Sequence, residues 1–416
     1  MKSAARILLT LLFATVPLIA QESPVGQGRP DATLKHKVIA YYPQWGLYGG
    51  YPFPGYFVKN LITSGAAARL THLNYAFANV VDNQCASFDT WADFQDPLSA
   101  DETVNGQPDS LAPNAFVGNF HQLQELKKRY PDLHIVISIG GGSADPNAFS
   151  IASMPENREA FVKSCIDMYI HGNFAPGIHE PGIFDGIDID WEFPATTEDE
   201  TNFTALLREF RKQLDCIRPG MTLSMAAPAG SWAYQYIDLP TIQHLLSHFN
   251  LMTYDFDGPW NNATGFVAPL YASLLDPDPT NNADYSVKAY LSMGIAPGKI
   301  VFGVPFYGYQ WDQVPNANHG LFEPGMPVGY GSEYNYIVTL ANTLQEYRDP
   351  ANKAPWLYDG NNFWTFDDPY VLAFKADYIQ RQHLGGVMIW EISGDLQDGT
   401  LLKTLVRGLN QELCDK

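Results

Sequence analysis

Eight short runs of apolar residues recur along the chain, and no other feature of the sequence constrains the fold as tightly. Most positions in these runs are apolar, and many are β-branched or aromatic, which is typical of strands that are covered on both faces, as in a parallel sheet. The runs span residues 38–42, 72–77, 134–139, 184–190, 222–227, 250–254, 300–305 and 386–392.

Helix-like patterns separate these runs. The clearest are residues 157–170, which follow Pro155, and residues 198–216, which begin with acidic and end with basic residues, as the helix dipole favours. Eight strands that alternate with helices predict an α/β fold of the (β/α)8 TIM-barrel type, over residues 37–416. A hydrophobic content of 46% is sufficient for the large core that such a barrel needs.

One connection is too long for a simple crossover. Residues 311–384 lie between the seventh and eighth predicted strands and are rich in Gly, Pro, Asn and Tyr. This composition predicts a small α+β insertion at that point of the barrel. No repeats or Ser/Thr/Pro-rich linkers indicate a second independent domain.

The first 20 residues have the pattern of a secretory signal peptide. Lys2 and Arg6 form a basic start, residues 7–16 are apolar, and Ala20 offers a small residue before Gln21. The apolar run is shorter than the roughly 20 residues that span a bilayer, so we expect a secreted protein and no membrane anchor. The polar residues 21–36 are interpreted as a lead-in.

Charge and cysteine content narrow the classes of partner and cofactor. The net charge of −20 disfavours nucleic acids and anionic membranes as partners. Export permits disulfides, and four cysteines allow three pairings. No Cys/His spacing typical of zinc sites is present, and we expect neither a metal nor a cofactor. The four cysteines are Cys85, Cys165, Cys216 and Cys414.

The fourth run carries a row of acidic residues. Asp188, Asp190 and Glu192 are spaced two apart, so on a strand their side chains point to the same side, whereas Asp185 has the other parity and is expected to help set up the strand. Three crowded carboxylates cannot all ionise easily, so at least one pKa should be raised. A carboxylic acid that stays protonated near neutral pH can act as a general acid, and Glu192 is the longest and the nearest to the barrel mouth. The alternative is a Ca²⁺ or Mg²⁺ site, which this apolar strand suits less well.

The sequence resembles glycoside hydrolase family 18, the chitinases and their relatives. The spacing of the four acidic residues from Asp185 to Glu192 matches the DxxDxDxE signature of that family. Residues 252–255 are similar to its MxYD segment, and residues 304–307 and 386–391 to its seventh and eighth strands. The SxGG segment of the third strand is matched by Ser138, Gly140 and Gly141.

The resemblance implies a retaining, substrate-assisted mechanism without a cofactor. Glu192 would protonate the leaving oxygen and later activate water, while the N-acetyl group of the substrate attacks the anomeric carbon. Asp190 would orient the acetamide, and Asp188 would share a proton or hydrogen bond with Asp190. Tyr254 would donate a hydrogen bond to the acetamide carbonyl, and Asp255 would support the same sugar.

Aromatic residues are expected to line the substrate groove, because they can stack on the apolar faces of sugar rings. The resemblance places Trp390 at the floor of the central subsite. The other predicted binding residues are Met252, Tyr42, Phe77, Trp45 and Trp260. The chain departs from many family members at Gly142, where they have Trp, and at Asp257, where they have His.

These observations predict a secreted, monomeric glycosidase that cleaves β-1,4 bonds between N-acetylglucosamine units of chitin or chito-oligosaccharides. An endo-β-N-acetylglucosaminidase that acts on N-glycans is an alternative, because that group shares the acidic motif. A chitin-binding, chitinase-like lectin is a further alternative, although such proteins usually lose the proton donor, which this chain retains as Glu192.

Overall fold

A computed structural model describes residues 35–49, 54–341 and 343–411 of the chain. The predicted signal peptide, nearly all of the predicted lead-in and Cys414 lie outside the described residues. Across the described part, no helix is both long enough and apolar enough to cross a membrane.

Eight parallel strands close into a barrel, which confirms the predicted fold class. The first strand pairs with both the second and the eighth, so that Ile39 lies opposite His72 and Lys37 lies opposite Gly386. In chain order the barrel strands are Lys37–Pro43, His72–Val81, His134–Gly140, Gly186–Asp190, Thr222–Pro228, His248–Met252, Ile300–Pro305 and Gly386–Trp390. We number them one to eight.

The sixth barrel strand ends earlier than predicted, at Met252 rather than at Tyr254. The amide of Thr253 turns back to the carbonyl of Leu251, and Asp255 has a positive φ of 59°, so the backbone leaves the sheet at this point. This departure turns Tyr254 and Asp255 into loop residues at the barrel mouth.

Helices follow most of the barrel strands. The predicted helix at 198–216 is observed as Thr197–Ile217, where the Thr196 hydroxyl caps the first turn by accepting a hydrogen bond from the amide of Asp199. The predicted helix at 157–170 is observed as Arg158–Cys165, continued by the π-helical turn Ile166–Ile170. The other helices are Val58–Thr63, Thr90–Phe94, Gly118–Arg129, Pro146–Ala152, Ser231–Tyr234, Leu239–Ile242, Ala283–Ser292, Tyr334–Leu340, Pro369–Arg381 and Thr400–Asn410.

Alternate residues of the barrel strands serve two apolar cores. On the first strand, Val38, Ala40 and Tyr42 belong to the outer core between strands and helices. Ile39 and Tyr41 belong to the inner core, which fills the barrel. Since both faces are buried, the sequence of such a strand is apolar throughout and does not reveal which residues point inward.

A second sheet lies between the seventh and eighth barrel strands in sequence. It is antiparallel and has five strands, which are Tyr307–Asp312, Met326–Glu333, Gln345–Arg348, Pro355–Tyr358 and Phe363–Phe366. Its Trp311 and Trp356 join Tyr41 and Tyr254 in the inner core, so the sheet packs directly on the barrel mouth. We call it the insertion sheet; the domain boundaries at 311 and 384 stay a prediction.

One disulfide ties two outer elements together. Cys85, in the short strand Gln84–Ser87 that pairs with the second barrel strand, is bonded to Cys165 at the end of the helix Arg158–Cys165. Cys216 is exposed at the end of the helix Thr197–Ile217. The observed bond selects one partner for Cys85 among those that the sequence leaves open.

Candidate active site

The three carboxylates at the end of the fourth barrel strand become more exposed from the first to the last. Asp188 is fully buried, Asp190 is 4% exposed, and Glu192, two residues beyond the strand, is half-buried at the wall of a cleft. The cleft has a volume of about 410 Å³ and opens at the carboxyl ends of the barrel strands. The alternation expected from the sequence therefore brings the three side chains to one place.

Asp188 is held by four hydrogen-bond donors from four different strands. The Tyr41 hydroxyl at 2.7 Å and the Ser138 hydroxyl at 2.8 Å donate to one carboxylate oxygen. The Ser224 hydroxyl at 2.6 Å and the Asn250 amide at 3.2 Å donate to the other. Burial raises the pKa of Asp188, and these hydrogen bonds oppose the rise by favouring the charged form.

Asp190 has a carboxylate oxygen with an unused acceptor. Its Oδ1 atom is buried and receives no hydrogen bond from any described residue. Burial raises the pKa of Asp190 well above its ordinary value, and the negative charges of Glu192 and Asp188 raise it further. A buried carboxylate without a donor is costly, so this atom requires either a proton or an N–H or O–H group from a bound ligand.

Glu192 has the protonation behaviour of a general acid. Burial raises its pKa to about 7, and the negative charge of Asp255 contributes to the rise. The side chain borders the cleft, so a bound molecule can reach it. Glu192 can therefore donate a proton near neutral pH and act as a base after it has done so.

Asp255 is held by the insertion sheet. The hydroxyls of Tyr307 and Tyr309 both donate to its Oδ1 atom, the second at 2.8 Å. Burial raises the pKa of Asp255, and the two tyrosines counteract the rise. The neighbouring Tyr254 is buried with its hydroxyl 3.8 Å from the sulfur of Met388, and burial beside the carboxylates raises its pKa, so it remains a hydrogen-bond donor.

Packed aromatic side chains form the floor of the cleft. The Trp390 ring stacks on Phe77 with centroids 5.5 Å apart, and Trp45 stacks on the same phenylalanine at 6.2 Å. Tyr41 meets the edge of Trp390 at 5.4 Å. Trp45, Phe77, Trp390 and Met252 all line the cleft, as the sequence predicts.

Two consecutive glycines, one at the end of the third strand and one just beyond it, allow the aromatic floor and the acidic strand to approach each other. A Cβ atom on Gly140 would lie 2.1 Å from the carbonyl oxygen of Asp190, and one on Gly141 would lie 2.5 Å from the Phe77 ring. Both glycines have positive φ angles. At Gly142 a Cβ atom would lie 3.5 Å from Glu192 Oε1, an ordinary contact, so a side chain could be accommodated beside the acid there.

Three predicted residues lie away from the cleft. The prediction for Tyr42 is wrong, because its side chain points into the outer core and its hydroxyl donates to Asn119 Oδ1 at 3.2 Å. Trp260 is 56% exposed and packs on Tyr309, outside the cleft lining. Asp185 lies at the opposite end of the strand, where it pairs with Lys127 at 2.5 Å and accepts a hydrogen bond from the amide of Ile135.

Several residues of the site are not predicted from the sequence. These are Tyr41, Ser224 and Asn250 around Asp188, Tyr307 and Tyr309 around Asp255, and Gln44 in the cleft wall. A signal exists for Tyr41, which has the opposite parity to Tyr42 on the same strand. No comparable pattern points to Tyr307 and Tyr309, because each lies more than 50 residues away from Asp255 in sequence.

The acidic site lacks the geometry of a metal centre. Within the ranges that the structure describes, no three His, Cys, Asp or Glu side chains are grouped so that they could hold a metal ion. The donors to Asp188 are neutral hydroxyl and amide groups of the protein.

Comparisons with known proteins point to one family. Residues 37–395 match the model of the glycosyl hydrolases family 18. Chitinase C of Streptomyces lividans is 32% identical over 389 residues, which cover 90% of this chain and 60% of the relative. The chain spans about three fifths of the length of the first curated relatives that it matches.

Solved structures of similar proteins have the same architecture. The catalytic domain of the psychrophilic chitinase B from Arthrobacter TAD20 has a TM-score of 0.82 and 33% identity, covering 90% of this chain and 95% of that one. The Ostrinia furnacalis Group IV chitinase in complex with allosamidin has a TM-score of 0.75 and 27% identity, covering 90% and 98%. By its family match and its sequence relatives, this chain belongs to glycoside hydrolase family 18.

Proposed function

We propose that the protein is a secreted, monomeric glycosidase that hydrolyses β-1,4 bonds between N-acetylglucosamine units of chitin or chito-oligosaccharides. The observation that carries this proposal is the unpaired, buried Oδ1 atom of Asp190 beside Glu192, whose pKa is about 7. A carboxylate that lacks a donor fits the N–H of a substrate acetamide. Relatives that are named chitinases support the same choice of substrate.

In the first step, Glu192 donates its proton to the glycosidic oxygen and the bond to the leaving sugar breaks. The carbonyl oxygen of the substrate acetamide forms a bond to the anomeric carbon, which gives an oxazolinium ion. Asp190 accepts the hydrogen bond of the acetamide N–H and stabilises the positive charge that develops there. The Tyr254 hydroxyl donates to the acetamide carbonyl and orients it for attack.

In the second step, Glu192 acts as a base. Its carboxylate removes a proton from a water molecule, whose oxygen attacks the anomeric carbon and reopens the oxazolinium ring. Two displacements at the same carbon give net retention of configuration. Asp188 is fixed by its four donors and, from below Asp190, keeps the pKa of that residue raised.

The aromatic floor supplies affinity for the sugar rings. Trp390 is half-buried at the base of the cleft and presents a flat surface beside Asp190 and Tyr254. A sugar ring can stack on it while the hydroxyls at its edge stay hydrogen-bonded. Trp45 is 47% exposed and extends this surface toward the cleft entrance.

The variant Glu192→Gln tests the assignment of the acid. It preserves the shape of the side chain but cannot donate the proton, so hydrolysis should fall by about 10²–10⁴-fold while oligosaccharides still bind. Glu198→Gln is a matched control, because Glu198 is exposed on the next helix. Turnover near that of the parent in Glu192→Gln would overturn the assignment.

The identity of the substrate is tested with matched oligomers. N-acetylglucosamine oligomers should be cleaved and fully deacetylated oligomers of equal length should not, because only the former carry the attacking carbonyl. A thiazoline analogue of the oxazolinium ion should inhibit competitively. Cleavage of an N-glycopeptide in preference to the oligomers would instead favour an endo-β-N-acetylglucosaminidase.

Secretion and the monomeric state are separate parts of the proposal. N-terminal sequencing of the exported protein should find a start at Gln21, after removal of residues 1–20. Light scattering coupled to size-exclusion chromatography should give the mass of a single chain. Retention of Met1 in the exported protein, or the mass of a dimer, would contradict the corresponding part.

A further inference from the structure

A buried carboxylate that the proposed mechanism does not use lies next to the cleft. Asp93, on the short helix Thr90–Phe94, is 1% exposed and has no cationic partner among the described residues. It accepts hydrogen bonds from the Tyr75 hydroxyl at 2.6 Å and the Ser87 hydroxyl at 2.5 Å, and from the side-chain amide of Gln44. Such a group is costly to bury, so its contacts require an explanation.

Gln44 connects this carboxylate to the cleft. It directly follows the first barrel strand, is 4% exposed and lines the cleft wall. Its Nε2 atom donates to Asp93 Oδ1 and lies 3.5 Å from the carbonyl oxygen of Asp89. Because Asp93 only accepts when ionised, the amide must turn its nitrogen toward Asp93 and its oxygen away.

The oxygen of Gln44 is left for a ligand. No described residue donates a hydrogen bond to its Oε1 atom, and the Gln44 side chain belongs to the cleft lining. Trp45 and Phe88 line the cleft on the same side. A sugar ring that lies against these aromatic faces would bring a hydroxyl group to the free acceptor.

The main chain of Gln44 is fixed by the same network. The Asn119 amide donates to the carbonyl oxygen of Gln44 and to the Tyr75 hydroxyl, both at 3.1 Å. The Tyr42 hydroxyl in turn donates to Asn119 Oδ1. Tyr42 therefore contributes to the cleft indirectly, through a chain of buried hydrogen bonds.

We propose that Gln44 is a substrate-binding residue that accepts a hydrogen bond from a saccharide hydroxyl, and that Asp93 is the positioning residue that sets the orientation of its amide. This inference rests on the proposed glycosidase function. It deepens that function by assigning a polar contact on the first-strand side of the cleft, where the acidic motif supplies none.

Binding to an inactive enzyme tests the inference. The Kd of the N-acetylglucosamine tetramer is measured by calorimetry at pH 8 in the Glu192→Gln background, with and without Gln44→Met. Methionine keeps the length of the side chain but removes the acceptor, so the Kd should rise by roughly five- to tenfold. Gln411→Met, at an exposed glutamine beyond the last helix, is the matched control.

A double-mutant cycle separates positioning from general stability. Asp93→Asn should raise the Kd in the Glu192→Gln background, because the neutral amide of Asn can donate a hydrogen bond to Gln44 and so reverse the orientation of the Gln44 amide. In a chain that already carries Gln44→Met it should change the Kd by less than twofold. If Asp93→Asn raises the Kd equally with and without Gln44→Met, or if the loss of affinity parallels a fall in melting temperature, then Asp93 is only structural and its assignment as a positioning residue is overturned.

The pH dependence gives a second readout of the positioning role. Asp93 faces Tyr75, Ser87 and Gln44 and senses the charge of Asp89, and burial raises its pKa to about 7. Protonation makes it a donor, so affinity should weaken from pH 8 to pH 6 more steeply than in Asp93→Asn. Equal slopes would contradict the positioning role.

The failure of this inference is distinct from the failure of the proposed function. If the parent enzyme hydrolyses the tetramer and Gln44→Met leaves the Kd unchanged, the contact of Gln44 is wrong and the glycosidase proposal stands. If the parent neither hydrolyses nor binds the tetramer, both fail.

Discussion

Replacement of Asp255 by asparagine should move the alkaline limb of the activity profile to lower pH. The general acid must be protonated to act, and burial together with the charge of Asp255 raises the pKa of Glu192 to about 7. In the parent, about half of Glu192 is therefore protonated at pH 7 and about one tenth at pH 8. Removal of the neighbouring negative charge lowers the pKa of Glu192, so the active form is lost earlier as pH rises.

The size of the expected pH shift follows from the two causes of the raised Glu192 pKa. Burial is the larger cause of the raised Glu192 pKa and Asp255 the smaller, so only part of the shift should disappear. One pKa unit corresponds to about 1.4 kcal/mol, which is on the order of the interaction between two charges in a partly solvated cleft. We expect the limb to move down by about one pH unit, so that the activity at pH 8, relative to the acidic plateau, falls by up to about tenfold.

The assay is kcat/KM for an N-acetylglucosamine oligomer between pH 4 and pH 9. Asp257→Asn is the matched control, because Asp257 is close in sequence but its charge does not act on Glu192 and its carboxylate binds Asn261. The control should leave the limb in place. An unchanged limb in Asp255→Asn, or a limb displaced to higher pH, would refute the electrostatic reasoning.

Two further predictions concern stability. Burial, together with the charges of His134 and Lys37, lowers the pKa of His72 from 6.5 to about 3. Because the unfolded chain binds this proton below pH 6.5 and the native state does not, the free energy of unfolding should be about 2 kcal/mol lower at pH 5 than above pH 6.5. Urea unfolding of His72→Gln should show a smaller loss of stability over this pH range, and an equal loss would contradict this. Gly140→Ala should lower both the melting temperature and the activity, because its Cβ atom would lie 2.1 Å from the carbonyl oxygen of Asp190. Gly220→Ala is the control, since Gly220 also has a positive φ but faces open space and should lose only the stability that backbone strain costs. Equal melting temperatures of the two variants would argue against the clash.

The sequence predicts the barrel and the acidic row well, because both follow from local periodicity. Near-continuous apolar runs specify parallel strands, and a spacing of two places Asp188, Asp190 and Glu192 on one side of a strand. A uniformly apolar run such as residues 38–42 does not show which of its residues point inward, since both faces of that strand are buried. This is why Tyr42 was predicted in the cleft, where the structure places Tyr41.

The support of the acidic residues could not be predicted, because it depends on contacts between distant segments. Tyr307 and Tyr309 reach Asp255 from the insertion sheet, and Gln44 depends on Asp93 from a separate helix. Each contact joins side chains that are ordinary by local pattern. Their roles follow only from the three-dimensional arrangement in which burial and hydrogen bonding are resolved.

The attachment of Asp255 to the insertion sheet has a consequence for protein engineering. Trimming that sheet to make a more compact enzyme would delete the two phenols that anchor this aspartate, and Glu192 would lose the fixed position of a charge that helps to raise its pKa. A shortened chain could keep every residue of the acidic motif and still work best at a different acidity. Grafting or exchanging the sheet thus offers a route to retune the working pH without altering the motif itself.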